Sequence, residues 1–171
     1  MVGFDSNGQA LVLTNAHVAG TRKGRTVKCQ RWNVDGTNER GSGVIIAAGY
    51  ANGLPVDFAL LRASQGFAKG VTPIPLADCY PDSQCGVTTM GCPRCEWPSL
   101  QVLSVQKNEG QILKWFPMAI GGRSGSSLID YSDGTPKVVG LLTWRSGNYG
   151  MGHAGSSGAM RGRMPTSFES L

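Results

Sequence analysis

Charge is scarce in this chain: Asp, Glu, Lys and Arg make up only 16% of 171 residues. Long apolar runs are missing too, none approaching the ~18 residues that a membrane-spanning helix requires. The first residues lack a basic region followed by a long apolar core, so nothing here directs secretion, and the compartment is left open. Aromatic residues are few, at 8%. The one basic stretch, Thr21 to Arg31, carries Arg22, Lys23, Arg25, Lys28 and Arg31 without an acid. It has no RNA-binding motif and only Trp32 nearby for stacking. A solvated loop and edge strand is therefore expected there, and nucleic acid is disfavoured as a partner despite the net charge of +5. No internal repeat is evident.

What the chain does have is 25 glycines and 9 prolines set between short runs of Val, Ile, Leu and Thr. That pattern predicts an all-β protein with many turns, and it argues against a helix bundle. The length fits one compact body or two small barrels packed as a unit. Strands are expected over Ala10–Thr14, Thr26–Trp32, Gly43–Ala48, Val56–Arg62, Val87–Met90, Leu100–Val105, Gln111–Phe116, Ser127–Asp130 and Val138–Trp144. The Asn7-Gly8 and Asp35-Gly36 pairs are turn signals. From Thr72 to Cys95 the pattern loosens around four prolines and four cysteines. The expected division is an N-terminal barrel over 1–76, a Cys-rich connector over 77–95 and a C-terminal barrel over 96–171.

Three short blocks carry chemistry. His17 ends a strand in Thr14-Asn15-Ala16-His17-Val18. Asp57 opens an otherwise apolar run in Val56-Asp57-Phe58-Ala59-Leu60-Leu61, and an acid there needs a reason. Ser124 lies in Gly122-Arg123-Ser124-Gly125-Ser126-Ser127. A lone Gly-x-Ser-Gly is weak evidence, since glycine and serine also make ordinary polar turns. Serine is a poor nucleophile at neutral pH, however, and acyl transfer needs a base to take its proton and an acid to orient that base. The order His, Asp, Ser supplies such a set.

These blocks, with Val139-Gly140-Leu141-Leu142-Thr143-Trp144, resemble those of the trypsin-like, chymotrypsin-fold serine proteases, most closely the bacterial and viral branches. The resemblance runs from Leu11 to about Gly158. It implies a chymotrypsin-like double β-barrel and a serine endopeptidase working through an acyl-enzyme intermediate without a required cofactor. His17 would be the general base, Asp57 its orienting carboxylate and Ser124 the nucleophile, with the N–H groups of Gly122 and Ser124 as the oxyanion hole. Met118, Thr143, Trp144, Arg145 and His153 would line or flank the primary substrate pocket. The partner is then a polypeptide substrate. Two rival functions stay open, a dedicated polyprotein or self-processing protease of a virus or phage, and a binding module with the fold but no turnover.

Departures from the family carry information. Animal digestive members place an aspartate before the nucleophile, where it pairs with a newly cleaved N-terminus; this chain has Arg123, which argues against such a switch. Met118 stands where trypsins use an acid for basic side chains, so an apolar or medium-sized side chain is expected at the cleavage site, or a polar or acidic one if Arg145 or His153 reads it. About sixteen residues precede His17, where relatives usually have one more strand. The first barrel is thus expected to be incomplete, completed by a partner or a missing segment, or truncated.

Cys79, Cys85, Cys92 and Cys95 fall within seventeen residues. Cys92-Pro93-Arg94-Cys95 has the spacing of a zinc knuckle, but the second tight pair is absent. A structural zinc near the connector, one or two disulfides, or buried thiols are the alternatives.

Overall fold

A computed structural model describes residues 1–51, 56–64, 66–78, 81, 84–93, 96–109, 112–146 and 149–154. Eleven strands and one helical turn account for its regular structure. The first half holds β1 (Gly3–Phe4), β2 (Ala10–Thr14), α1 (Ala16–Ala19), β3 (Thr26–Trp32), β4 (Asn38–Ala51) and β5 (Val56–Ala63). The second half holds β6 (Gly86–Gly91), β7 (Ser99–Glu109), β8 (Ile112–Phe116), β9 (Ser127–Asp130), β10 (Lys137–Ser146) and β11 (Tyr149–Ala154).

The first five strands form one antiparallel sheet in the order β1-β2-β5-β4-β3. Among the described residues it does not close, and β1 and β3 are its edges. The last six close into a barrel in the order β10-β11-β8-β7-β6-β9. The fold is the expected all-β one, with an open first sheet and a complete second barrel. Within the stretch 77–95, Gly86–Gly91 is a strand of that barrel, hydrogen-bonded to both β7 and β9.

Two apolar cores explain why the halves adhere. Val87, Leu103, Val105, Leu113, Trp115, Leu128, Val139 and Leu142 fill the barrel. Leu11, Leu13, Val56, Phe58 and Leu60 form the core of the first sheet, and Val138 and Leu141 of β10 join them. Strand side chains alternate with period two, so 138 and 141 should face opposite ways. A register shift against β9 between Val138 and Gly140 reverses the alternation. Strand β10 thereby feeds Val138 and Leu141 into one core and Val139 and Leu142 into the other. Each such buried aliphatic side chain contributes about 1.5–3 kcal/mol, so β10 cements the two bodies at the seam where the site lies.

The basic stretch forms the loop after α1 and the edge strand β3, with Arg22, Lys23, Arg25 and Lys28 exposed. Charged side chains on an edge strand discourage pairing with other chains. No helix among the described residues is long and apolar enough to cross a membrane.

The cysteines separate. Cys85 and Cys92 stand at opposite ends of the six-residue β6, about 20 Å of extended chain, whereas ligand sulfurs sit about 2.3 Å from a zinc ion. Cys85 and Cys92 are the two members of the expected four-cysteine site that the structure describes. Cys79 and Cys95 themselves lie outside the described residues. Among the described residues no group of three His, Cys, Asp or Glu could hold a metal. Burial pushes the half-buried Cys29 thiol up from its ordinary value, which keeps it protonated and unreactive.

Candidate active site

Strand β2 runs with Leu11 and Leu13 buried and stops at Asn15, where the chain turns into the single helical turn α1. Ala16 and Ala19 face inward and anchor that turn. Asn15 occupies the N-cap position but makes no capping bond. Its amide is used across the molecule instead, donating to the Asp57 carbonyl at 2.8 Å and to Thr143 Oγ1 at 3.1 Å. The Thr143 hydroxyl in turn donates to the Leu141 carbonyl at 3.2 Å. Asn15 thus stitches β2 to β5 and to β10. Its amide was not among the expected functional groups, because its partner Thr143 is 128 residues away. Its place in the block before His17 was the available hint.

Asp57 explains the acid in an apolar strand. Its side chain is only 2% exposed, while that of His17 is 37% exposed. The carboxylate holds His17 at two points: Oδ1 accepts the backbone N–H of His17 at 3.0 Å and Oδ2 lies 2.5 Å from its Nδ1. A buried carboxylate is costly unless charge-assisted bonds satisfy it. Both contacts do so, and they fix the ring with Nδ1–H toward Asp57 and the Nε2 lone pair toward solvent.

Ser124 stands on the turn between β8 and β9. Gly122 and Gly125 flank it with φ of +86° and +83°, conformations that L side chains avoid. The turn closes through Ser126 N–H to the Arg123 carbonyl at 3.0 Å, and it is tied to β10 through Gly125 N–H to the Leu142 carbonyl at 2.9 Å. Ser124 is exposed. Among the described residues, the N–H groups of Gly122 and Ser124 have no acceptor, and Ser124 Oγ has no hydrogen bond. His17 and Asp57 are therefore in contact, whereas a His17–Ser124 hydrogen bond is not made here; such bonds are often loose until substrate is bound.

Gly125 places the serine turn beside the histidine segment. A Cβ built on Gly125 would lie 2.2 Å from Thr14 Oγ1 and 3.0 Å from Asn15 N. Only a glycine lets the turn sit directly on the end of β2, three residues before His17. Gly125→Ala is expected to cost about 1–3 kcal/mol of stability from strain and overlap, and to lower kcat/KM about 10²-fold by moving Ser124 away from His17. Thermal unfolding and peptide-hydrolysis rates of the purified variant check both numbers.

Beside Ser124 opens a cavity of about 370 Å³. Met118 to Ser124 form one wall, Leu142, Thr143 and Trp144 another, and Trp115 also lines it. Met118, Thr143 and Trp144 thus come together with Gly122 and Ser124. Trp115 joins them without having been singled out in the sequence. The backbone pairs Leu141 with His153 and Arg145 with Gly150 across β10 and β11, while the side chains of Arg145 and His153 lie outside the described residues. Larger grooves of about 760 and 740 Å³ on the first sheet are lined by none of these groups.

The described residues thus hold an aspartate-clasped histidine on the helical turn after β2 and an exposed serine on the turn between β8 and β9. Residues 2–141 match the family described as the Trypsin-like peptidase domain, and the chain belongs to that family. No curated protein matches it. Among solved structures it is similar to a Glu endopeptidase in complex with MPD, at 12% identity and a TM-score of 0.72, covering 94% of this chain and 80% of that one. It is also similar to the inactive form of the Rv3671c protease of M. tuberculosis H37Rv, at 18% identity and TM-score 0.67, covering 96% and 80%. A third is the serine endoprotease from Yersinia pestis, at 16% identity and TM-score 0.64, covering 85% of this chain and 50% of that one. At these identities the likeness is one of fold.

Proposed function

We propose that this trypsin-like peptidase domain is an endopeptidase in which Ser124 is the nucleophile, His17 the base and Asp57 its orienting acid. The observation that carries this is the two-point hold of Asp57 on His17, next to a serine turn seated on the end of β2. Ser124 Oγ attacks the scissile carbonyl carbon while its proton passes to Nε2 of His17. The carbonyl electron pair moves onto oxygen, and the N–H groups of Gly122 and Ser124 receive that oxyanion. Collapse expels the amine, which takes the proton from His17 and leaves an acyl-enzyme. Water, deprotonated by the same base, then releases the acid and restores Ser124. The chemistry uses side chains and backbone alone.

The cavity beside Ser124 favours an apolar or medium-sized side chain before the cleaved bond. Trp115, Met118, Ala119, Ile120 and Leu142 supply apolar side chains to its wall, and no acidic side chain of the described residues lines it. A pocket without an acidic wall gives Lys or Arg no partner for its charge. Cleavage of a mixed peptide library, read by mass spectrometry of the new termini, should show Leu, Met, Phe or similar residues at that position. A profile dominated by Lys and Arg would refute the pocket assignment. A profile dominated by Glu would move recognition to Arg145 or His153.

The same digest separates the rivals. A processing enzyme for few substrates would cut one or two sequences in the library, and a binding module would cut none.

A further inference from the structure

Arg123 is the second-largest fully buried side chain, after Trp115, and is 2% exposed. Its guanidinium has neutral partners. One terminal nitrogen donates to the Thr89 carbonyl on β6 at 3.4 Å, and the other donates to Ser99 Oγ at the start of β7. Its Nε is buried without a partner, and among the described residues no carboxylate pairs with it. Burying a cation on such terms is unfavourable, and an apolar side chain of similar volume would be as stable or more so. Stability therefore does not account for Arg123.

Its location does. Arg123 immediately precedes Ser124, and its backbone carbonyl closes the turn by accepting from Ser126 N–H. The neighbouring chain has Gly121 and Gly122 on one side and Gly125 on the other, so the backbone there has little stiffness of its own. The arginine stem passes through a space that Gly91 leaves open: a Cβ on Gly91 would stand 3.0 Å from Arg123 Cγ and 2.7 Å from Ser126 Oγ. A slot left by a glycine on β6, a carbonyl from the same strand and a hydroxyl from β7 together receive this one side chain.

We infer that Arg123 is a positioning residue, whose guanidinium, bonded to Thr89 and Ser99, holds the nucleophile turn so that the Gly122 and Ser124 N–H groups point at the developing oxyanion. This deepens the assignment of Ser124 as nucleophile and rests on it. The tether lies within the folded chain, so the turn is held ready without a cleavage event.

Arg123→Met fills the same volume without the donors. It should fold with unchanged or higher thermal stability, while kcat falls about 10²-fold and KM changes little, the signature of a misaimed turn. Arg123→Lys should recover part of the lost kcat. Arg123→Ala should recover activity when methylguanidine is supplied, because the small cation can occupy the vacated slot. Ser99→Ala removes one acceptor at an exposed position, and a drop of several-fold in kcat is expected, non-additive with Arg123→Met. Wild-type kcat in a folded Arg123→Met protein would overturn the inference. If that variant fails to fold, wild-type kcat in Ser99→Ala overturns it. An inactive wild-type protein would instead refute the nucleophile assignment.

Discussion

Replacing Ser124 by alanine leaves a folded protein that hydrolyses peptides at least about 10³-fold more slowly. The fold survives because Ser124 is exposed and its hydroxyl makes no hydrogen bond among the described residues, so the change lies within about 0.5 kcal/mol in stability. Activity does not survive, because no neighbouring hydroxyl shares its position beside the two glycines with positive φ. Some rate above water should persist, since the oxyanion donors at Gly122 and residue 124 belong to the backbone and remain. Circular dichroism and a peptide-hydrolysis assay on the same sample separate the two effects. A variant with a tenth or more of wild-type activity would mean that another group attacks the substrate.

Asp57→Asn is expected to cost about 10⁴-fold in kcat. The substitution is nearly isosteric, and an asparagine carbonyl can still accept the His17 backbone N–H where Oδ1 does now. The second contact inverts. At the position of Oδ2, 2.5 Å from Nδ1, an amide NH2 donates where the carboxylate accepted. The imidazole must then carry its proton on Nε2 and offers Ser124 no lone pair. The variant also loses the negative charge that stabilises the imidazolium formed during attack. Stability should change much less than rate, since the buried position becomes neutral. A loss of less than tenfold would show that Asp57 is only a structural acid beneath α1.

How much of this was legible in the chain depended on side-chain pattern. β9 coincides with its expected bounds because Ser127–Asp130 lies between clear turns, and β2 and β3 coincide as well. β4 extends to Asn38–Ala51, well beyond the expected Gly43–Ala48. The added residues 38–42 pair with β3 but carry polar side chains or none, and residues 49–51 pair with β5, so neither extension leaves an alternating hydrophobic signal. β1 is two residues long, and β11 is drawn from glycine-rich sequence. Both exist because neighbouring strands supply backbone partners, and local composition does not reveal that. The helical turn at His17 was invisible for a similar reason. Four residues cannot show helical periodicity, and buried alanines together with the cross-molecule bonds of Asn15 hold the turn.

The site divided along the same line. His17, Asp57 and Ser124 could be singled out because a strand end, a misplaced acid and a Gly-flanked serine are local anomalies. The bonds that arrange them are not local. Asn15 reaches Thr143, Gly125 rests on Thr14, and Arg123 reaches Thr89 and Ser99. Arg123 read in sequence as the loss of an acid; in the fold it is a buried side chain with bonds of its own.

The most direct test of the serine-protease assignment is to treat the protein with a fluorophosphonate and map the adduct by peptide mass spectrometry. The expected result is a single phosphonylated residue, Ser124, with labelling lost in Ser124→Ala and strongly slowed in Asp57→Asn. A folded wild-type protein that takes no label, or takes it on another serine, would contradict the assignment.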